Sequence, residues 1–64
     1  MGTNYRLKAA RVLRGLTQLE LADLLGMKET DVSRFETGRV DPDAEIKRRI
    51  AEILRKPTFE LFDA

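Results

Sequence analysis

Apolar residues recur at helical spacing in the first part of the chain, which predicts a helix over residues 4–14. Its main apolar stripe comprises Leu7, Ala10 and Leu13. A second apolar strip beside the first comprises Tyr5, Ala9 and Val12. Gly15 follows at the position where a glycine commonly caps a helix, so we expect the helix to end there.

A capping signal marks the start of a second helix. Thr17 and Glu20 form a T-x-x-E capping box, in which each side chain satisfies a backbone N–H of the first turn. The helix is therefore predicted to begin at about Gln18. Its apolar arc comprises Leu21, Ala22, Leu24 and Leu25. Gly26 ends it, because glycine tolerates the left-handed backbone that a tight turn needs.

The residues after this turn predict a third helix from Glu29 to Glu36, closed by Gly38. Val32 and Phe35 form its apolar side. The opposite side is polar and comprises Glu29, Thr30, Ser33 and Arg34. Two short amphipathic helices joined by a glycine turn, over residues 18–37, have the layout of a helix-turn-helix.

A fourth helix is predicted to begin near Pro42, because proline suits the first helical position, with Asp41 or Asp43 as its cap. Its inward stripe comprises Ile46, Ile50, Ile53 and Leu54. Pro57 ends this helix, and residues 58–62 fit one last helical turn. No segment alternates with period two. The expected fold is therefore all-α, a compact bundle of four to five short helices with a central helix-turn-helix.

The amino-acid composition excludes several classes of function. The chain has 64 residues, which fit a single domain over residues 1–64, and it contains neither cysteine nor histidine. This excludes a disulfide framework, and it leaves only carboxylates to bind a metal and only carboxylates or lysines to catalyse a reaction. We expect no enzyme, no cofactor and no small-molecule ligand. The apolar runs are too short to span a membrane and no secretory signal is visible, so a cytoplasmic protein is expected.

Basic residues concentrate in two segments, although the net charge is only +1. The first helix carries Arg6, Lys8, Arg11 and Arg14, and no acidic residue lies among them. The second group comprises Lys47, Arg48, Arg49, Arg55 and Lys56. Glu45 and Glu52 are interleaved with the second group, so this group fits an ordinary solvated face equally well. On the first helix, Arg6 or Arg14 could reach the backbone of a nucleic acid.

Several fragments, in order and at the right spacing, resemble the helix-turn-helix family of phage repressors and Cro proteins. The most specific are Leu16-Thr17-Gln18, Glu20-Leu21-Ala22, Leu25-Gly26-Met27, Val32-Ser33-Arg34-Phe35-Glu36 and Gly38. Pro42, Ile50-Ala51-Glu52 and Leu61-Phe62 fit the usual ending. The resemblance covers residues 7–62 and implies a domain that places its third helix in the major groove of double-stranded DNA.

The resemblance also implies a role for individual residues. Contacts to DNA phosphates would fall on Gln18, Lys28 and Arg39. Contacts to base edges would come from Glu29, Thr30 and Arg34, with Ser33 nearby. Arginine is the commonest specific partner of guanine, which makes Arg34 the strongest candidate. A buried ion pair that supports the fold would join Arg11 to Glu36.

Two acidic residues depart from the pattern of a DNA-binding helix. Glu29 could accept a hydrogen bond from the amino group of cytosine and so contribute to specificity. Asp31 lies where the family often has a neutral residue, and we expect it to repel a nearby phosphate. We therefore expect moderate affinity with a steep salt dependence.

The expected function is a sequence-specific transcriptional regulator, most simply a repressor that occupies a palindromic operator as a homodimer. Candidates for the dimer contacts are Phe59, Leu61 and Phe62, with Tyr5 and Val12 as further candidates. We expect Phe59 and Leu61 to point inward and Phe62 to lie nearer the interface. The alternative is a helix-turn-helix module for protein contact, such as an adaptor or an antitoxin-like partner, which the acidic third helix favours. The chain could also be a fragment of a larger regulator.

Overall fold

Five short helices follow one another along residues 3–63, which are the residues that the computed structural model describes. They are α1 (Tyr5–Leu13), α2 (Gln18–Leu25), α3 (Glu29–Thr37), α4 (Ala44–Leu54) and α5 (Thr58–Phe62). No strand occurs within this described range. The expected all-α fold with a central helix-turn-helix is therefore confirmed, with α2 and α3 as the helix-turn-helix pair.

Local capping explains where the first two helices begin. Asn4 precedes α1, and its side chain accepts a hydrogen bond from the Leu7 backbone N–H at 3.0 Å. The capping box of α2 is complete, because Thr17 Oγ1 accepts from the Glu20 N–H at 3.0 Å and Glu20 Oε1 accepts from the Thr17 N–H at 2.9 Å. Gly26 has a φ of 70°, in the left-handed region, and it ends α2 as the sequence predicts.

The bounds of α4 differ from those predicted. The helix begins at Ala44, because the Asp43 side chain accepts a hydrogen bond from the Ile46 N–H at 2.9 Å and so acts as the cap. Asp43, one of the two predicted caps, is therefore confirmed, whereas Pro42 is not the first helical residue and is buried outside the helix. The helix also ends before Pro57, at Leu54, and Arg55 adopts a left-handed conformation with a φ of 58°.

The core lies where one face from each of the five helices meets. Its fully buried large side chains are Leu7, Leu21, Val32, Ile50, Leu54 and Leu61. The core also contains Ala10, Ala22, Leu25, Phe35 and Ala51. In so small a protein every buried apolar side chain contributes a substantial fraction of the stability, and this interior holds α3 against α2.

Several apolar residues expected on the buried side are exposed. Leu13 is 78% exposed and Leu24 is 55% exposed. The second apolar strip of α1, for which no burial was predicted, also lies on the surface and comprises Tyr5, Ala9 and Val12. The reason on α1 is that its main neighbours are α3 and α5, which cover a single face of the helix. Leu7 and Ala10 already occupy that face.

The expectation that Phe59 points inward is wrong. Phe59 is 61% exposed, whereas Leu61 is only 2% exposed and belongs to the core. Two residues along a helix lie on nearly opposite sides, so a five-residue helix that buries Leu61 turns Phe59 outward. Phe62 is half-buried, with Lys47 Nζ 5.4 Å from the centroid of its ring. Leu61 is thus unavailable for contact with a second molecule.

Candidate nucleic-acid interface

Helix α3 has two distinct sides. Val32, Phe35 and Glu36 are buried, with exposures of 0%, 6% and 2%. The exposed side carries Glu29, Thr30 and Arg34, together with Lys28 immediately before the helix. Ser33 is half-buried and lies at the edge of this side. The candidate base-contacting residues therefore share one accessible face, and Phe35 anchors the opposite face to the interior.

Asp31 helps to form the first turn of α3. Its Oδ2 accepts a hydrogen bond from the Lys28 backbone N–H at 3.1 Å. This is half of a capping box, since lysine has no side-chain acceptor to supply the other half. Asp31 Oδ1 also lies 4.0 Å from Nη1 of Arg34. The sequence did not predict this hydrogen bond of Asp31, although an acid three residues after the helix cap is its signal.

Gln18 is the first residue of α2, and its half-buried side chain reaches α3. Its Nε2 donates a hydrogen bond to Glu36 Oε1 at 3.0 Å. The sequence predicted a phosphate contact for Gln18 and an ion pair for Glu36, but it did not connect the two residues. The contact joins residues 18 positions apart, and no local pattern predicts it.

Glu36 is also paired with Arg11 of α1. Arg11 Nε donates to Glu36 Oε2 at 2.5 Å, and Nη2 donates to Oε1 at 3.2 Å. Arg11 Nη1 donates to the Leu16 carbonyl at 2.8 Å. Among the described residues, no buried side-chain nitrogen or oxygen lacks a hydrogen-bond partner. The buried pair therefore ties α1, the loop after it and α3 together.

Comparison with known protein families agrees with this arrangement of helices. A family model described as "Helix-turn-helix" matches residues 7–61, from α1 to α5. The chain belongs to the helix-turn-helix family. It is also 33% identical over 49 residues to a protein of Bacillus subtilis (strain 168) named "SPbeta prophage-derived uncharacterized HTH-type transcriptional regulator YonR". That match covers 77% of this chain and 45% of the Bacillus protein, so the chain spans about half of that relative's length.

In this helix-turn-helix protein, two arginines of α1 contact the ends of other helices. Arg6 Nη1 donates to the Asp63 carbonyl at 2.5 Å, just after α5. Arg14 Nε donates to the Ile53 carbonyl at 3.3 Å, in the last turn of α4. Carbonyls at helix C-termini attract cations, so both contacts stabilise the fold. The expectation that Arg6 or Arg14 reaches a nucleic acid is not supported by these contacts.

The loop after the helix-turn-helix is acidic, but its carboxylates are engaged. Asp43 caps α4, and Asp41 Oδ2 lies 3.1 Å from Lys47 Nζ. Arg39 is exposed directly after Gly38, whose φ of 77° lets the chain leave α3. Arg39 therefore stands at the surface while its acidic neighbours have partners within the protein.

Residues 3–63 contain no cluster of carboxylates that could hold a metal ion. None of the five helices in that range has the length and apolar character needed to cross a membrane. The exposed side of α3 remains the feature that sequence and structure both single out.

Proposed function

We propose that this protein is a sequence-specific regulator of transcription that inserts α3 into the major groove of double-stranded DNA. The observation that carries the proposal is the accessible side of α3, where Lys28, Glu29, Thr30 and Arg34 are exposed together. A helix of this type presents its N-terminal residues to base edges in the helix-turn-helix arrangement. The Bacillus relative, itself named as a transcriptional regulator, supports the same class of function.

The chemistry of each exposed side chain of α3 determines which base it can contact. Arg34 carries a guanidinium that is 58% exposed and can donate two parallel hydrogen bonds to the O6 and N7 atoms of guanine. Glu29 can accept from the N4 amino group of cytosine, and Thr30 can contact a thymine methyl group. Ser33 is half-buried, which limits it to a base or phosphate at the margin of the contact.

Phosphate contacts fix the protein on the duplex without reading its sequence. Lys28 and Arg39 flank α3 and are both exposed. Gln18 opens α2, where the first backbone N–H groups of the helix favour an anion. Lys28 and Arg39 each neutralise a phosphate charge, whereas Gln18 donates a hydrogen bond, so binding should weaken as the salt concentration rises.

A homodimer on a palindromic operator would supply the specificity that one small module lacks, because a single module covers little DNA surface. The two recognition helices would then lie about 34 Å apart, one turn of DNA. Phe59 and Phe62 are candidates for the contact between subunits, since Leu61 is buried, and the exposed Tyr5 and Val12 are further candidates. Occupancy of the operator would repress transcription by excluding the polymerase.

The acidic groups of α3 favour a second candidate, a module that contacts another protein. Glu29 is exposed and Asp31 is half-buried at the start of the same helix. Both repel a polyanion and suit a basic partner surface. Arg34 and Lys28 argue against this candidate because they place positive charge on the same side.

Selection of binding sites from a random pool of duplex DNA, followed by a footprint, tests the proposal. We expect an enriched palindrome with half-sites about one helical turn apart. Enrichment of a single, unrepeated site would overturn the dimer but keep the DNA-binding function. Failure to enrich any sequence at low salt would overturn the function and favour the protein-contact module.

A further inference from the structure

We propose that Glu36 is a positioning residue for DNA binding, because it fixes the amide of Gln18 from inside the protein. The proposal rests on the proposed function, in which Gln18 contacts a phosphate. Glu36 is 2% exposed and so touches no ligand itself. Its Oε1 accepts the hydrogen bond from Gln18 Nε2 at 3.0 Å, across the gap between α3 and α2.

The chemistry of the two groups decides how the amide is oriented. An ionised carboxylate only accepts hydrogen bonds, so the NH₂ group of Gln18 faces Glu36 and its carbonyl oxygen faces away. One N–H of the amide is used by Glu36, and the second remains to donate to a phosphate. Without Glu36, the amide could rotate and present its oxygen, which repels a phosphate.

Glu36 can hold this amide because it is itself held rigidly. Arg11 contacts both of its carboxylate oxygens, and Arg11 is anchored in turn to the Leu16 carbonyl. The Glu36 backbone is fixed as well, since its carbonyl accepts from the Asn4 N–H at 2.7 Å. Gln18 is thus ordered before DNA arrives, and the entropy of fixing its side chain is not lost on binding.

A double-mutant cycle in DNA binding tests this inference. Gln18→Ala is measured in the wild type and in an Arg11→Met/Glu36→Met background, where both buried charges are replaced by apolar side chains of similar size. In the wild type we expect Gln18→Ala to weaken binding by about tenfold, the loss of one charge-assisted hydrogen bond. In the double-Met background, where Gln18 is already misplaced, we expect Gln18→Ala to change affinity less than about threefold.

The cycle separates this inference from the proposed function. An equal effect of Gln18→Ala in both backgrounds would show that Gln18 acts without Glu36, and would overturn the positioning role alone. Absence of DNA binding by the wild type would overturn the proposed function and the positioning role with it. Arg48→Ala, which removes a charge from α4, serves as the control and should show no coupling to Gln18→Ala.

A second measurement covers the case in which the double-Met protein does not fold. In the NMR spectrum of the wild type, the two side-chain N–H signals of Gln18 should be widely separated, because only one of them bonds to Glu36. When DNA is added, the N–H that bonds to Glu36 should keep its chemical shift, and the second N–H should move as it donates to a phosphate. If the first signal lies at the position of a free glutamine, with or without DNA, the positioning role is overturned.

Discussion

The Asp31 carboxylate accepts a hydrogen bond from the Lys28 backbone N–H at 3.1 Å, and so closes the first turn of α3. The same carboxylate stands 4.0 Å from the Arg34 guanidinium. An acid in the first turn is also stabilised by the positive end of the helix dipole. Asp31 therefore serves the helix at a position where its charge opposes contact with DNA.

Asp31→Asn should separate these two effects. We expect the free energy of unfolding to fall by about 0.5–1 kcal/mol, because the neutral amide interacts more weakly with the helix N-terminus. Affinity for random-sequence DNA should rise several-fold, because one negative charge leaves the binding face. Urea denaturation and titration with competitor DNA measure the two quantities.

The control for this variant is Glu60→Gln, which removes the same charge from an exposed position on α5. It should change neither quantity by a comparable amount. An equal gain in affinity for random DNA in both variants would show that net charge alone matters, and that the location of Asp31 does not.

Glu29→Gln should change which base is preferred at one position in each half-site. Glutamate accepts from cytosine, whereas glutamine can pair with the N6 and N7 atoms of adenine. Site selection with the variant measures the change directly. If the consensus stays the same and only the affinity rises, Glu29 merely repels the DNA and reads no base.

Removing one partner of the buried ion pair should be far more costly than removing both. Arg11→Met leaves Glu36 charged and buried, and we expect a loss of about 3–5 kcal/mol in the free energy of unfolding. Arg11→Met/Glu36→Met should recover most of that loss, because no buried charge is left alone. Urea denaturation of the two proteins gives the comparison, and a double variant less stable than Arg11→Met would contradict the interpretation.

Arg55→Gly should stabilise the protein. Arg55 ends α4 with a φ of 58°, a conformation that glycine adopts without strain. After allowing for the greater flexibility of glycine in the unfolded chain, we expect a net gain of about 0.5–1 kcal/mol in thermal or urea unfolding.

Gly26→Ala provides the opposite case. Gly26 has a φ of 70°, and a Cβ built there meets no atom within 4 Å, so the substitution strains only the backbone. A loss of about 1 kcal/mol is expected. If Arg55→Gly destabilises the protein as Gly26→Ala does, the left-handed strain at Arg55 is not the controlling factor.

Local signals in the sequence predicted the helices well, because short-range chemistry sets their ends. The capping box of Thr17 and Glu20 and the glycines at 26 and 38 act within a few residues of the positions that they mark. At α4 the sequence left Asp41 and Asp43 as alternative caps, and Asp43 sets the start of the helix. The choice depended on hydrogen-bond geometry, which the sequence pattern does not contain.

Burial was harder to predict, since it depends on how many neighbours cover a helix. Leu13 belongs to the predicted main stripe of α1, yet it is 78% exposed because α3 and α5, the main neighbours of α1, pack on the side of Leu7 and Ala10. Likewise, the hydrogen bond from Gln18 to Glu36 joins residues far apart in sequence. Contacts of this kind become visible only when the packing of α2 on α3 is known.

The most direct test of DNA recognition compares two arginines that are equally exposed. Arg34 and Arg48 each have a side chain that is 58% exposed, and each lies three residues after a carboxylate, Asp31 or Glu45. The hydrogen bond that Arg48 donates to Glu45 and the attraction of the Glu45 charge raise the pKa of Arg48, so it stays charged at working pH. Each substitution by alanine therefore removes one positive charge, but only Arg34 lies on the proposed binding side.

Titration of the selected DNA site, followed by fluorescence anisotropy over a range of salt concentrations, gives the affinities of Arg34→Ala and Arg48→Ala. We expect Arg34→Ala to weaken binding by about ten- to a hundredfold, and to lose the preference for guanine at one position in each half-site. Arg48→Ala should remain within about threefold of the wild type, as a charge remote from the contact does. Equal losses in the two variants, with the base preference unchanged, would contradict the placement of α3 in the major groove.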